Sequence, residues 1–411
     1  MSAPLPSHDL DPAPTGRPGL LSGIRVLDLT TSVAAPYATM LLGDLGAEIL
    51  KVERPGSGDD SRAWGPPFLD GESLWFLSVN RSKRSVTLDI TSAPGQEVLH
   101  RLVAACDVVV VNMTGRVQRK LGLDRETLTA VRPDLVHVSI SGYGLTGEHA
   151  GLSGYDLIAE GYSGIMDVTG AADSPPQKIG APAADVLAGM DAALGAVSAL
   201  FDRARTGRGH GVDVSLVESM TRMLAPRLVS YLGSGEVPRR SGGTDSVIAI
   251  YQAFETADRP LTLGLGNDGI WARFWASVGD PEFGADPRFR SNSDRREHRA
   301  EIVERIAGIL RGQSRVHWLG VLAEARVPAG PINSLDEVAA DPHLRGRGLF
   351  YGIERNGAVI PQVGLGIRFD DAAAGPSAVP PRLGADTDDV LREIAGLSAE
   401  EIERLRDKDV V

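Results

Sequence analysis

The chain has 411 residues, 42% of them hydrophobic and 23% charged, with 42 Lys and Arg against 54 Asp and Glu for a net charge of -12. That length exceeds what one hydrophobic core usually supports and points to two lobes. The acidic balance argues against nucleic acid as a main partner, because binding a phosphate backbone draws on clustered Lys and Arg, and the single cysteine, Cys106, excludes an internal disulfide and suits a reducing compartment.

Residues 1–20 are rich in proline and lack the basic start and apolar run of a signal peptide, so they read as a flexible tail. No stretch reads as the ~20 apolar residues that cross a membrane, and a cytoplasmic protein without a membrane partner is expected. From Ile24 the pattern is βαβ: IRVLDLT (24–30), a helix over about 36–46, then EILKVER (48–54). Further strands are expected in RSVTLDI (84–90), DVVVVNM (107–113) and LVHVSIS (135–141), whose near-continuous apolar character suits a parallel sheet covered by helices on both faces. Asp185 to Arg205 reads as a helix with Ala188, Ala192, Gly195, Ala196 and Ala199 on one small-residue face, ended by Gly207 and Gly209 and followed by a strand and helix in GVDVSLVESM (211–220). A linker is expected over 226–246, where GSGEVPRRSGGTDS (233–246) has no periodicity. A smaller domain follows over 247–335, with a small sheet from AIYQAFET and PLTLGLG and amphipathic helices such as RAEIVERIAGIL (299–310). Residues 336–411 return to the large domain that begins at 21–225.

The βαβ start invites a dinucleotide reading, with Glu53 as the ribose acid, but the turn TTSVAAP lacks the glycines that let a backbone approach a pyrophosphate. The eight histidines are scattered singly, with no metal-ligand spacing and no GxSxG elbow, so no metal is expected. Basic residues near strand ends are stronger candidates, since ligands of open α/β sheets bind beyond the carboxyl ends of the strands. Arg54, the run Asn80, Arg81, Lys83 and Arg84, and Asn112, Arg116, Arg119 and Lys120 together suggest an anionic ligand. Asp185 admits two readings. It follows Pro182 where a helix starts, and Asp is among the best helix caps; a carboxylate there, amid Ala and Gly, also has room beside it for a reacting thioester and can act as a nucleophile. Spacing alone favours the cap. Asp191, six residues on, reads as an ordinary helix charge.

In chain order, LSGIRVLDLTTSVAAPYATMLLGDLGAEILKVERPGSGDDSR (21–62), NRSKRSVTLDI, DVVVVNMTGRVQRKLGL, SGYGLTGE, GYDLIAEGYSGIMDVTG, GAPAADVLAGMDAALGAVSALFDRARTGRGHGVDVSL and RVPAGPINSLDEV resemble the family III CoA-transferases over roughly residues 20–370. The resemblance implies an α/β fold, with a Rossmann-like large domain built from both chain ends, a smaller α+β domain and two interlocked subunits in a homodimer. It makes Asp185 the catalytic nucleophile. Val33, Ala34, Arg54, Asn80 to Lys83, Asn112, Met113, Thr114, Lys120, Tyr155 and Asp156 fall at positions lining the coenzyme A site. Gly264, Gly266 and Asn267 of GLGND fall at a glycine loop that shields the intermediate from water. Acyl-CoA and a carboxylic acid are then the substrates, with no permanently bound cofactor. Asp185 would carry CoA as an aspartyl thioester between donor and acceptor, and backbone N–H groups at the helix start would steady the oxyanions.

Two departures narrow this reading. Racemases of the same fold carry His where this chain has Tyr155, which disfavours racemisation. Formyl-CoA transferases carry a longer glycine run than GLG and a polar residue at the position of Val33, which argues against oxalate as acceptor. The alternatives are an acyl-CoA racemase or isomerase using Asp156 or Asp185 as base, and a non-catalytic CoA-binding subunit. The acceptor acid is not readable from these motifs.

Overall fold

The structure, a computed structural model, describes residues 6–16, 19–245 and 247–411. Six short runs form one parallel sheet: β1 (Arg25–Leu29), β2 (Glu48–Glu53), β3 (Lys83–Thr87), β4 (Val108–Val111), β5 (Val136–Ser141) and β6 (Gly211–Ser215). Their order is β3-β2-β1-β4-β5-β6, with every neighbouring pair parallel. The chain therefore winds outward from β1 in both directions, and the reversal leaves a crevice beyond the carboxyl ends of β1 and β4.

Burial on both faces explains the unbroken apolar runs: all four valines of β4 are buried. On one face, Val98, Leu99, Leu102 and Val103 pack against Leu27, Leu50, Val86 and Val109 of the sheet. They lie on α2 (Ala93–Ala105), whose start is capped by the Ser92 hydroxyl. Val390, Leu391 and Ile402 join the same cluster from the two last helices, Thr387–Glu393 and Ala399–Arg406. The chain thus needs its C-terminal end to complete the core under β1, β2 and β3.

The other face is covered by α1 (Ala34–Asp44) and by a 24-residue helix, Ala183–Thr206, which pack on each other. Small residues permit the approach: a Cβ on Gly189 would lie 2.5 Å from the Ala34 carbonyl oxygen, and one on Gly195 would lie 2.6 Å from Val212 Cγ1. By length and composition this long helix is apolar enough to cross a bilayer, contrary to the expectation that no such stretch exists. Its Ala184, Ala188, Gly189, Ala192, Ala193 and Ala196 are instead buried against the sheet layer.

By internal contacts, the described residues of 1–165, 178–233 and 339–411 form one compact unit and those of 166–177 and 234–338 another. In the second, Tyr251–Phe254, Leu261–Gly264 and Ala329–Pro331 make a three-stranded antiparallel sheet with helices packed around Trp271, Phe274, Trp275 and Phe289. Two expectations need correction. The segment Ala225–Ser234 is helical, so the first part of the expected linker 226–246 is not a loop; Ser246 lies outside the described residues. The expected tail is docked at residues 11–16, because its backbone is paired. The Gly352 N–H donates to the Asp11 carbonyl (2.8 Å) and the Gly375 N–H to that of Gly16 (2.7 Å). Residues 1–5, 17 and 18 are outside the described residues.

Candidate active site

The turn from β1 into α1 contains no glycine, yet Ser32 takes a φ of 72°, a conformation that disfavours any residue with a side chain. Neighbouring side chains hold it there. Asn112, just past β4, accepts the Thr31 N–H on Oδ1 (3.1 Å) and donates its Nδ2 hydrogen to the Thr31 carbonyl (2.7 Å). Asp59 accepts the Ser32 N–H (3.0 Å) and is ion-paired at 2.9 Å with Lys51, both side chains fully buried. Alongside, Asp28 pairs with Lys83 (2.9 Å) and accepts from the Thr39 hydroxyl of α1 (2.6 Å). Burial would raise the Asp28 carboxyl, but the Lys83 and Lys51 ammoniums more than reverse this and hold it well below the usual carboxylate range. Such a lattice is tolerable inside a fold only because each charge has several partners. Its effect is to fix the turn from beneath.

Beyond the turn opens a cleft of about 330 Å³ lined by Thr31, Ser32, Ala34, Trp64, Asn112, Met113, Thr114, Arg116, Ser141, Gly142, Ser153, Gly154, Tyr155 and Asp185, among others. Gly142 and Gly154 meet backbone to backbone on its wall, where a Cβ on Gly142 would stand 2.7 Å from the Gly154 Cα. Arg116 is the only Lys or Arg among the lining residues and has no hydrogen-bond or ion-pair partner among the described residues.

Asp185 is the third residue of the helix Ala183–Thr206, which begins after Pro182 without a cap from its own segment. The cap comes from Asp156, the first residue of the helix Asp156–Ser163. Its Oδ1 accepts the Ala184 N–H at 2.8 Å and the Asp185 N–H at 3.3 Å. This overturns the cap reading of Asp185 and leaves the Ala184 and Asp185 N–H groups already engaged, so neither serves as an oxyanion donor. The Asp185 carboxylate itself, half-buried at the cleft, accepts no hydrogen bond among the described residues. Burial, and then the negative charge of Asp156, push it up to about 7. A helix start ordinarily favours a carboxylate by about 0.3–1 kcal/mol; here burial prevails. Asp191, by contrast, accepts from Ser219 (2.6 Å) and pairs with Arg222, a routine packed charge.

Of the residues expected at the site, Ala34, Asn112, Met113, Thr114, Tyr155 and Asp185 line this one cleft. Arg54 lies at an adjoining hollow of about 260 Å³ that shares Thr31 and Met113 with the cleft and has an apolar floor of Leu29, Val52, Leu88 and Ile90. Arg54 pairs there with Asp60. Several expected residues stand elsewhere. Asn80 and Lys83 do not line the cleft: Lys83 is fully buried, and its Nζ donates to Asp28, to the Pro36 carbonyl and to Asn80 Oδ1 at 2.8–2.9 Å. Val33 is buried at the start of α1, Lys120 is exposed at the end of the short helix Gly115–Lys120, and Asp156 acts as the cap described above. Gly264, Gly266 and Asn267 belong to the second unit, where Gly264 ends a strand and Asn267 caps the next helix by accepting the Ile270 N–H (2.9 Å). Sequence reasoning missed Thr31, Ser32, Ser141, Gly142 and Gly154; the loop glycines of SGYG and SGYD were the available signal. Among the described residues no group of His, Cys, Asp and Glu is placed to hold a metal ion.

The family model described as CoA-transferase family III matches residues 21–387. The chain is 36% identical over 388 residues to the succinyl-CoA:glutarate CoA-transferase of Mus musculus, covering 94% of this chain and 88% of that one. It is 38% identical over 381 residues to the succinate–glutarate CoA-transferase of Agrobacterium fabrum, covering 91% and 95%. A crystal structure of a CAIB/BAIF family protein from Brucella suis matches with a TM-score of 0.80 at 39% identity, over 91% of this chain and 99% of that one. The open carboxylate at a sheet-end cleft thus sits in a chain that belongs to CoA-transferase family III and is a CoA-transferase.

Proposed function

We propose that this chain moves CoA between a dicarboxylic acyl-CoA and a free dicarboxylate through a thioester on Asp185. The observation that carries the reading is the state of Asp185: open to the cleft, without a partner among the described residues, and flanked by small side chains that leave room for a thioester. The ionised carboxylate attacks the thioester carbonyl of the donor, the carbon–sulfur bond breaks, and CoA leaves as thiolate from a mixed anhydride. The thiolate then attacks the Asp185 carbonyl carbon of that anhydride, forming aspartyl-CoA and releasing the donor acid as its carboxylate. The acceptor carboxylate reverses these steps and departs as the new acyl-CoA. Each bond made replaces one broken, so the thioester energy is kept.

The adjoining hollow suits the other end of CoA, with Leu29, Val52, Leu88 and Ile90 for a planar base and Arg54 at the rim for phosphate. The two relatives named above are described as acting on succinate and glutarate, and a lone guanidinium in the cleft, Arg116, supplies the charge a second carboxylate would meet. The exposed apolar residues Ile158 and Tyr162 on one helix and Met190, Leu194 and Phe201 on another support a homodimer that covers them. Incubation with succinyl-CoA followed by intact-mass measurement tests the central step. A hydroxylamine-labile adduct of the mass of CoA is expected on the native chain and none on Asp185→Ala; an adduct that survives in Asp185→Ala would falsify the assignment.

A further inference from the structure

The helix Asp156–Ser163 carries two carboxyl groups one turn apart, and both reach the segment that delivers Asp185. Asp156 Oδ1 takes the Ala184 and Asp185 N–H groups. Four residues later, on the same face, Glu160 Oε2 accepts the Ile179 N–H at 2.8 Å. The chain from Ile179 to Asp185 is therefore held at both ends by one helix. Glu160 is fully buried, and its second oxygen, Oε1, has no hydrogen-bond partner among the described residues. A buried ionised carboxylate with one oxygen left bare is costly; a proton on that oxygen removes the charge. The charged groups facing Glu160 are Asp156 on its own helix and Lys178 from the segment before Asp185.

We propose that Glu160 is a positioning residue for Asp185: buried, with one oxygen holding Ile179 and the other bare, it fixes the start of the nucleophile's segment, and a proton on the bare oxygen spares that segment a second negative charge beneath it. Burial raises the Glu160 carboxyl, and the charge of Asp156 raises it further, in keeping with this geometry. The division of labour follows. Asp156 accepts two N–H groups on one oxygen, and its charge bears on Asp185. A second anion one turn below would add to the same repulsion, and neutral Glu160 avoids it while keeping its grip on Ile179. The inference rests on Asp185 being the nucleophile, but its titration test does not depend on turnover.

Carboxyl-carbon NMR of the native chain labelled at Asp and Glu, with signals assigned by their loss in Glu160→Gln and Asp185→Asn, reads both groups directly. Glu160 is expected to titrate above the ordinary glutamate range, and Glu160→Gln is expected to leave the Asp185 titration midpoint in place, since a neutral amide replaces a protonated acid. Glu160→Ala, which releases Ile179, is expected to lower kcat about tenfold with a much smaller change in KM for acyl-CoA. A Glu160 that titrates at or below the ordinary glutamate range, or a fall of the Asp185 midpoint in Glu160→Gln, overturns the neutral-acid assignment. An unchanged kcat in a folded Glu160→Ala overturns the positioning role. Should Glu160→Ala fail to fold, the native and Glu160→Gln titrations still decide. A native chain that forms no CoA adduct would instead remove the functional reading and leave the titration result standing.

Discussion

Asn112 and Thr31 hold each other by two hydrogen bonds, side-chain amide to backbone carbonyl at 2.7 Å and backbone N–H to side-chain carbonyl at 3.1 Å. The pair joins the loop after β4 to the turn after β1 across the reversal point of the sheet, so it shapes the cleft rather than merely lining it. Asn112→Ala leaves both Thr31 groups unpaired beside a Ser32 already at positive φ. A stability loss of about 1–3 kcal/mol is expected by urea unfolding, together with a raised KM for acyl-CoA. Unchanged values of both would mean that Asp59 alone holds the turn.

Asp185 gives the reaction a pH dependence whose sign follows from its environment. Only the ionised form attacks a thioester, and burial together with Asp156 raises the carboxyl to about 7. Adduct formation is expected to fall about tenfold per pH unit below that value and to level off above it. Stability runs the other way. A carboxyl that holds its proton more tightly folded than unfolded loses that advantage as pH rises from the ordinary carboxylate range to about 7. Asp185→Asn is therefore expected to raise Tm at pH 8 and to change it little at pH 4. Thermal unfolding at the two pH values checks this, and equal shifts at both would contradict a raised Asp185.

Much of this architecture was legible before any coordinates, and the reasons are local. Runs such as Val108–Val111 are apolar on both faces because helices cover both faces, and the period alone says so. The small-residue face of the long helix likewise announced close packing, and Ala188, Ala192, Ala196 and Ala199 are buried, though Gly189, which meets Ala34, was not on that face. The failures share one cause: a side chain's partners come from distant parts of the chain. Lys83 reads as a cation for an anionic ligand in NRSKRS, but Asp28, 55 residues away, draws it into the interior. Asp185 looks like a cap, and nothing near it in sequence reveals that Asp156 already fills that role from 29 residues upstream. The apparent tail is docked because its backbone partners, Gly352 and Gly375, lie at the opposite end of the chain.

Gly189 makes the packing argument testable. A methyl group there would stand 2.5 Å from the Ala34 carbonyl oxygen and 2.9 Å from Tyr37 Cδ1. Backbone cannot yield as a flexible side chain would, so the helix carrying Asp185 must shift away from α1. Gly189→Ala is expected to destabilise by about 1–3 kcal/mol despite Ala's better helix propensity. Adduct formation should slow as well, because Ala34 and Asp185 face the same cleft. A gain in stability on thermal unfolding would show that the two helices separate freely.

Arg116 offers the sharpest test of substrate class. It is the only Lys or Arg lining the Asp185 cleft, and it is exposed and unpaired among the described residues. A guanidinium so placed gains most from an anion that arrives with the substrate, and a hydrogen bond to a charged partner is worth about 1.5–3 kcal/mol. Arg116→Gln is therefore expected to lower kcat/KM for glutarate by about tenfold to hundredfold, with butyrate as acceptor hardly affected. The comparison separates two roles for the same charge. If Arg116 met a phosphate of CoA instead, both acceptors would suffer equally, because every turnover uses the same CoA, and KM for succinyl-CoA would rise in step. Equal losses would remove the distal carboxylate from the argument while leaving Asp185 as the nucleophile.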